Sequence, residues 1–195
     1  MAEISAKMVN ELRQRSGAGM MECKKALVES NGNMEEAVTV LRKKGVANAA
    51  KRIGREASEG IIQSYIHGGG RIGVLVELNC ETDFVAKNEE FHNLAKDICV
   101  HVAATAPLYV SADEIPTDVE ARERDIAAGQ CVGKPSNAVE KIVEGKLAKW
   151  RDEVCLLSQP FVKDQQISVG EYITQMIAKI GENIKVKRFV RYQVK

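Results

Sequence analysis

Hydrophobic positions in the first 45 residues recur at helical spacing in three short blocks, separated by turn formers. Ser5 stands ahead of Met8, Val9 and Leu12, and Ser16-Gly17-Ala18-Gly19 ends that block, because glycine favours turns and weakens helix interiors. A second helix is predicted from about Met20 to Ser30, stopped by Asn31-Gly32. Asn33 opens a third, with Glu36 at capping-box spacing, Ala37, Val40 and Leu41 inside, and Gly45 at its end. Residues 42–55 carry Arg42, Lys43, Lys44, Lys51, Arg52 and Arg55 with no acid among them. This stretch reads as a basic linker with a helical, Ala-rich middle, and the domain boundary falls near Gly54.

The period then changes to two. Ile62, Ser64 and Ile66 alternate, a loop comes next at His67-Gly68-Gly69-Gly70-Arg71, and Ile72, Val74, Val76 and Leu78 line one face of a second strand. Together they predict a hairpin. Helical spacing returns with Phe91, Leu94, Ala95, Ile98, Cys99 and Val102, closed by Pro107. Thr117 with Glu120 reads as a capping box for a helix to about Gly129. Ser136 starts a long helix with Val139, Val143, Leu147, Trp150, Val154 and Leu157 on one side. Ser168 with Glu171 caps a further helix that buries Ile173, Met176, Ile177 and Ile180 before Gly181. The chain closes on a strand in which Ile184, Val186, Val190, Tyr192 and Val194 alternate with polar residues. The expected class is α+β. Residues 1–54 form a three-helix module plus basic linker, and residues 55–195 form a core with a small antiparallel sheet packed by helices.

Charge adds little to this picture. Twenty-eight basic residues face 27 acidic ones, so no global field steers the chain to nucleic acid. No apolar run approaches the ~20 residues that span a bilayer. The N-terminus lacks the basic start, apolar stretch and cleavage site of a signal peptide. The five cysteines are scattered and never in CxxC, which fits reduced thiols in a cytoplasmic compartment.

Most candidate chemistry fails on context. Gly68–Gly73 matches GxGxxG, but a strand succeeds it where a dinucleotide site needs a helix N-terminus. Val85-Ala86-Lys87 imitates a kinase lysine motif, yet the HRD and DFG elements are missing. His67, His92 and His101 form no set with metal-ligand or nucleophile spacing, so neither a metal nor any other cofactor is expected. The basic run at 42–55 and the basic end (Lys185, Lys187, Arg188, Arg191, Lys195) suit a solvated face or a protected edge strand as well as they suit RNA phosphates.

The remaining feature is Glu81-Thr82-Asp83-Phe84-Val85-Ala86-Lys87, between a strand and a helix. Asp83 or Thr82 can cap the helical segment that starts here. Phe84 lies seven residues before Phe91, so one continuous helix would put both on a buried stripe. Against that, Lys87 and Asn88 interrupt the stripe, and Asn88-Glu89-Glu90 has the form of a fresh helix start. On the residues alone, Phe84 can face inward or outward.

Thr82–Asn88, together with Leu12-Arg13, Ser16–Met21 and Cys23-Lys24-Lys25-Ala26-Leu27, closely resembles bacterial translation elongation factor Ts. The likeness extends to Pro160-Phe161-Val162 and Gly181-Glu182-Asn183-Ile184, and so covers nearly the whole chain. The resemblance implies a guanine nucleotide exchange factor for elongation factor Tu, not an enzyme that breaks bonds. It implies a ubiquitin-associated-like N-terminal module that docks on the nucleotide-binding domain of Tu, with Arg13, Met20 and Met21 at the matching contact positions. It also implies that Thr82, Asp83, Phe84 and Val85 form the segment that intrudes near the Tu magnesium site. The longest members of that family carry a second core subdomain and a helical-hairpin insertion. This chain reads as one core unit with no room for either, and short members compensate by pairing. A homodimer in a two-plus-two complex with Tu is therefore expected, with the open strand edge at 184–194 as pairing surface and no membrane or direct nucleic-acid partner. The alternative reading is a ubiquitin-associated-like adaptor or RNA-binding ribosome factor that uses the basic segments.

Overall fold

A computed structural model describes residues 4–131 and 135–194. The N-terminal module is built from α1 (Ala6–Ser16), α2 (Met20–Glu29) and α3 (Met34–Ala50). Ser5 accepts a hydrogen bond from the Met8 amide at the start of α1, and Gly17 closes it in the left-handed region. Asn33 accepts from the amides of Glu35 and Glu36 at the start of α3. Val9, Leu12, Cys23, Ala26, Leu27, Ala37 and Leu41 form the module's own core.

Helix α3 does not stop at Gly45. It continues to Ala50, so most of the expected linker is helical. A glycine inside a helix costs about 1 kcal/mol relative to alanine. Here the absence of a side chain is what permits contact, because a Cβ at Gly45 would lie 3.2 Å from the Ala178 Cβ of a later helix. Ala49 is fully buried in the main core. The basic stretch thus joins the module to the core by direct packing.

The core is a three-stranded antiparallel sheet in the order β1 (Glu59–His67), β2 (Ile72–Cys80) and β5 (Ile184–Gln193). Helix α5 (Glu89–Thr105) covers its inner face with Phe91, Leu94, Ala95, Ile98 and Val102, against Val74, Val76 and Leu78 of β2. Burying Phe91 alone contributes roughly 2–3 kcal/mol. The hairpin closes between His67 and Ile72 with Gly68, Gly69 and Gly70 all at positive φ, as a tight loop requires. The predicted row Ile62-Ser64-Ile66 does lie on one face of β1, but it is the outer one. Tyr65 and Ile61 pack inward, while Ile62 and Ile66 are exposed.

A bulge opposite Glu77 and Leu78 inserts Lys187 into β5 and reverses the parity of that strand. Before it, Ile184 and Val186 are buried. Beyond it Phe189 and Arg191 point inward, with Arg191 donating to the Ala103 carbonyl of α5, and Tyr192 and Val194 point outward. The simple alternation expected for this strand therefore splits between two faces.

Three further departures concern the helical part. Helix α6 (Thr117–Gly129) starts at Thr117 and is preceded by extended Pro116, so the expected Thr117–Glu120 capping box does not form. Glu120 instead pairs with Arg151 of α7 (Ser136–Val154). The apolar row on α7 extends from Val139 to Trp150; the helix ends at Val154, and Leu157 joins the main core. Helices α6 and α7 lie side by side around Ala127, Cys131, Val143 and Leu147, a third small core. A helical hairpin is thus present where none was expected.

The returning chain makes a short hairpin, β3 (Pro160–Phe161) with β4 (Asp164–Ser168), and then α8 (Val169–Ile180), whose Ser168–Glu171 capping box forms as the sequence predicts. The β3 turn is held by His101, which is fully buried on α5. Its Nδ1 accepts from the Val162 amide at 3.2 Å, so its Nε2 carries the proton and donates to Gln159 Oε1 at 2.9 Å. Phe161 stacks on Tyr172 with ring centroids 4.5 Å apart.

Two measurements test this packing. Gly60 sits at φ 151°, and a Cβ there would meet the Leu78 carbonyl oxygen at 2.2 Å. Gly60→Ala should lower stability by more than about 1 kcal/mol in urea unfolding. Burial holds His101 below its ordinary value of 6.5, because a charged ring would lose its hydration there, and the hydrogen bond to Gln159 only partly opposes this. A base whose folded pKa is depressed stabilises fully above its unfolded value, and that contribution fades as pH falls. Urea midpoints should be level above pH 7 and decline as pH drops below about 6.5, and this decline should be smaller in His101→Phe.

Candidate partner-binding site

The segment after β2 is a single helical turn, α4 (Asp83–Ala86). Thr82 is its N-cap, its hydroxyl oxygen accepting from the Val85 amide at 3.4 Å. Lys87 ends the turn, and Asn88 starts α5 afresh by accepting from the Glu90 amide at 2.8 Å. Two separate caps therefore break what could have been one helix. The consequence is decisive for the aromatic pair: Phe91 is fully buried while Phe84 is 81% exposed.

Each neighbour of Phe84 has a distinct job. Val85 is half-buried against the core and Ala86 is buried, so they anchor the turn. Asp83 does not cap. Its carboxylate is exposed and pairs with Lys87 at 2.7 Å, and the hydrogen bond from that ammonium holds its pKa below the ordinary carboxylate value. An exposed pair of this kind contributes little to stability. It leaves an acid and an aromatic side by side at the surface.

The turn is fixed from outside by Gly181-Glu182-Asn183, which lies between α8 and β5. Glu182 Oε2 accepts from the amides of Glu81 and Thr82 at 3.1 and 3.0 Å, and Glu182 Oε1 accepts from the Thr82 hydroxyl at 2.7 Å. The Asn183 amide donates to Glu81 Oε1 at 2.6 Å. The Asn183 side-chain nitrogen donates to the carbonyls of Ile53 and Arg55, the segment leaving the N-terminal module. Sequence reasoning singles out this Gly-Glu-Asn-Ile run but gives it no role. Periodicity cannot reveal a contact across 100 residues.

The second set of predicted contact residues lies on the N-terminal module. Arg13 is exposed on α1, and Met20 and Met21 open α2 at 52% and 65% exposure. They are not part of the Phe84 turn, so the predicted residues fall into two surface groups on different elements. The basic residues divide differently. Lys44 pairs with Glu29 and Arg188 with Glu77, while Arg42, Lys51 and Arg52 line a cleft between α3 and α8 whose wall also carries Glu22 and Asp164. Among the described residues, no three His, Cys, Asp or Glu side chains converge as a metal site would need, and no helix is long and apolar enough to cross a membrane.

The profile of the family described as Elongation factor TS matches residues 1–195. Elongation factor Ts of Desulforamulus reducens is 58% identical over 196 aligned residues, covering 100% of this chain and 90% of that protein. The protein of the same name from Carboxydothermus hydrogenoformans is 56% identical, covering 98% of this chain and 89% of its own length. That of Caldanaerobacter subterraneus is 53% identical, with 97% and 96% covered.

Proposed function

The chain belongs to the elongation factor Ts family, and on that premise we propose that it is a guanine nucleotide exchange factor for elongation factor Tu, with Phe84 as its wedge. The observation that carries this reading is an aromatic side chain held almost fully in solvent on a turn clamped from outside by Glu182 and Asn183. Leaving a phenylalanine exposed forgoes roughly 2 kcal/mol of burial. A partner that receives it regains that amount, and rigid aromatic anchors are what dominate binding energy at interfaces.

Exchange is then a matter of linkage. A protein that binds nucleotide-free Tu more tightly than Tu·GDP must weaken GDP binding by the same factor. Phe84 and Asp83, driven toward the region that holds Mg²⁺ and phosphate on Tu, disturb the charge neutralisation of the diphosphate, and GDP leaves. Thr82 and Val85 supply the fixed frame. No bond of the nucleotide is broken by this chain, and GTP enters the emptied site by mass action. Arg13, Met20 and Met21 make a second contact on the nucleotide-binding domain of Tu, where flexible methionines suit a surface that changes shape. Two contacts on one chain raise the effective concentration of the wedge. The setting is the cytoplasm, where thiols stay reduced. All five cysteines are buried and free, and burial pushes Cys99 up to about 12.

The homodimer rests on the outer face of the sheet. Ile62 and Ile66 of β1, Leu75 of β2, and Tyr192 and Val194 at the end of the chain stand exposed on it. A row of apolar side chains across three strands matches a second copy packed face to face, with β5 at its rim. Buried thiols make that pairing non-covalent.

Release of a fluorescent GDP from purified Tu tests the first reading. Wild type should accelerate release strongly, and Phe84→Ala, with an unchanged melting curve, should lose most of that acceleration; an inert wild type would refute exchange itself. Light scattering at micromolar concentration should give twice the 21.4 kDa chain mass. Ile66→Asp with Tyr192→Asp should shift the protein to monomer, and a wild type that is already monomeric would refute pairing.

A further inference from the structure

Helix α8 is already terminated before Glu182. Gly181 adopts φ 92° and its amide bonds to the Ile177 carbonyl. Strand β5 begins only at Ile184. Glu182 therefore serves neither element, and its hydrogen bonds go to the Glu81 amide, the Thr82 amide and the Thr82 hydroxyl. Bonds to an ionised acceptor are about twice as strong as neutral ones. The turn beyond them is short. Its own backbone bonds run from Ala86 to Thr82, Lys87 to Phe84 and Asn88 to Val85. Those bonds shape the turn but do not fix its direction. Without Glu182 the Asn183 amide still holds the Glu81 side chain, but Thr82 loses both of its ties to this segment, and the turn that carries Phe84 can pivot about the buried Val85 and Ala86.

We infer that Glu182 is a positioning residue for nucleotide exchange, its carboxylate aiming the Thr82–Phe84 turn so that the wedge meets Tu preorganised. The inference rests on the proposed role of Phe84. It assigns to a residue 98 positions away, with its own side chain off the wedge, control over how productively the wedge acts. Ordering a group before it binds improves the step that depends on its geometry more than it improves encounter. The Arg13 and Met20–Met21 contact is untouched by Glu182, so docking persists when aim is lost.

The test is GDP release from Tu across a range of concentrations of the exchange factor, for wild type, Phe84→Ala, Glu182→Ala, Glu182→Gln and the Phe84→Ala/Glu182→Ala pair. Glu182→Ala should lower the saturating release rate by about tenfold while half-saturation moves less than about twofold. Glu182→Gln keeps an acceptor oxygen and should return to within about threefold of wild type. The double variant should be no slower than Phe84→Ala alone, because aim is worthless without the aromatic. Multiplied losses in the double variant, or a shift in half-saturation alone, would overturn the inference and leave the wedge reading intact. A Phe84→Ala protein as fast as wild type would bring down both. Should Glu182→Ala not fold, Thr82→Val, which removes one of the three donors, enters the same cycle with the same expected non-additivity.

Discussion

The antiparallel pairing of β2 with β5 is the constraint on which the rest depends. Its register ends with Cys80 opposite Ile184, so the segment leaving β2 must lie beside the segment entering β5. The two are far apart in sequence and become neighbours only because Val74, Val76 and Leu78 bury their row under α5. Hydrophobic burial fixes the register, since a slip of one residue would turn that row to water. The register, once fixed, delivers the Glu182 carboxylate to the backbone amides of Glu81 and Thr82. The polar clamp is thus a by-product of apolar packing, and it is made at the surface beside the exposed Phe84, not in the core.

The contrast between Phe84 and Phe91 shows how little sequence is needed to divert a side chain. Seven residues along one helix would have stacked them. Thr82 and Asn88, each a good N-cap, start two helices instead of one, and the intervening residues bury Val85 and Ala86 while releasing Phe84. The loss of buried area is accepted locally and offset by the core around Phe91. Such local sacrifices of stability are where function is usually found.

Much of this is legible in the sequence, and the failures have physical causes. Caps at Ser5, Asn33 and Ser168 are local hydrogen-bonding patterns, and all three form where the sequence predicts them. Gly45 looks like a stop but is not one, because its helix cost is offset by close approach to Ala178, which no local rule contains. Ile62 and Ile66 fit a core-facing alternation, but β1 carries apolar residues on both faces, and only the tertiary contact of Tyr65 and Ile61 decides which is inside. The outward turn of Phe84 is suggested by Lys87 and Asn88 yet not decided by them, and the motif likeness supplies the rest. The α6–α7 hairpin escapes a reading that takes its two helices singly, because the pairing lies in contacts between them, the core around Ala127 and Leu147 and the pairs Glu120–Arg151 and Arg124–Glu144. Glu182 has no local signal at all.

The bulge at Lys187 has a consequence for how the chain tolerates change. One extra residue shifts the phase of β5, so the row that begins with Ile184 and Val186 in the interior continues with Tyr192 and Val194 at the surface. A substitution at Ile184 or Val186 is therefore judged by whether the protein folds. A substitution at Tyr192 or Val194 leaves the fold standing and is judged by what the surface meets. One alternating row thus answers to two environments, exchanged at one lysine.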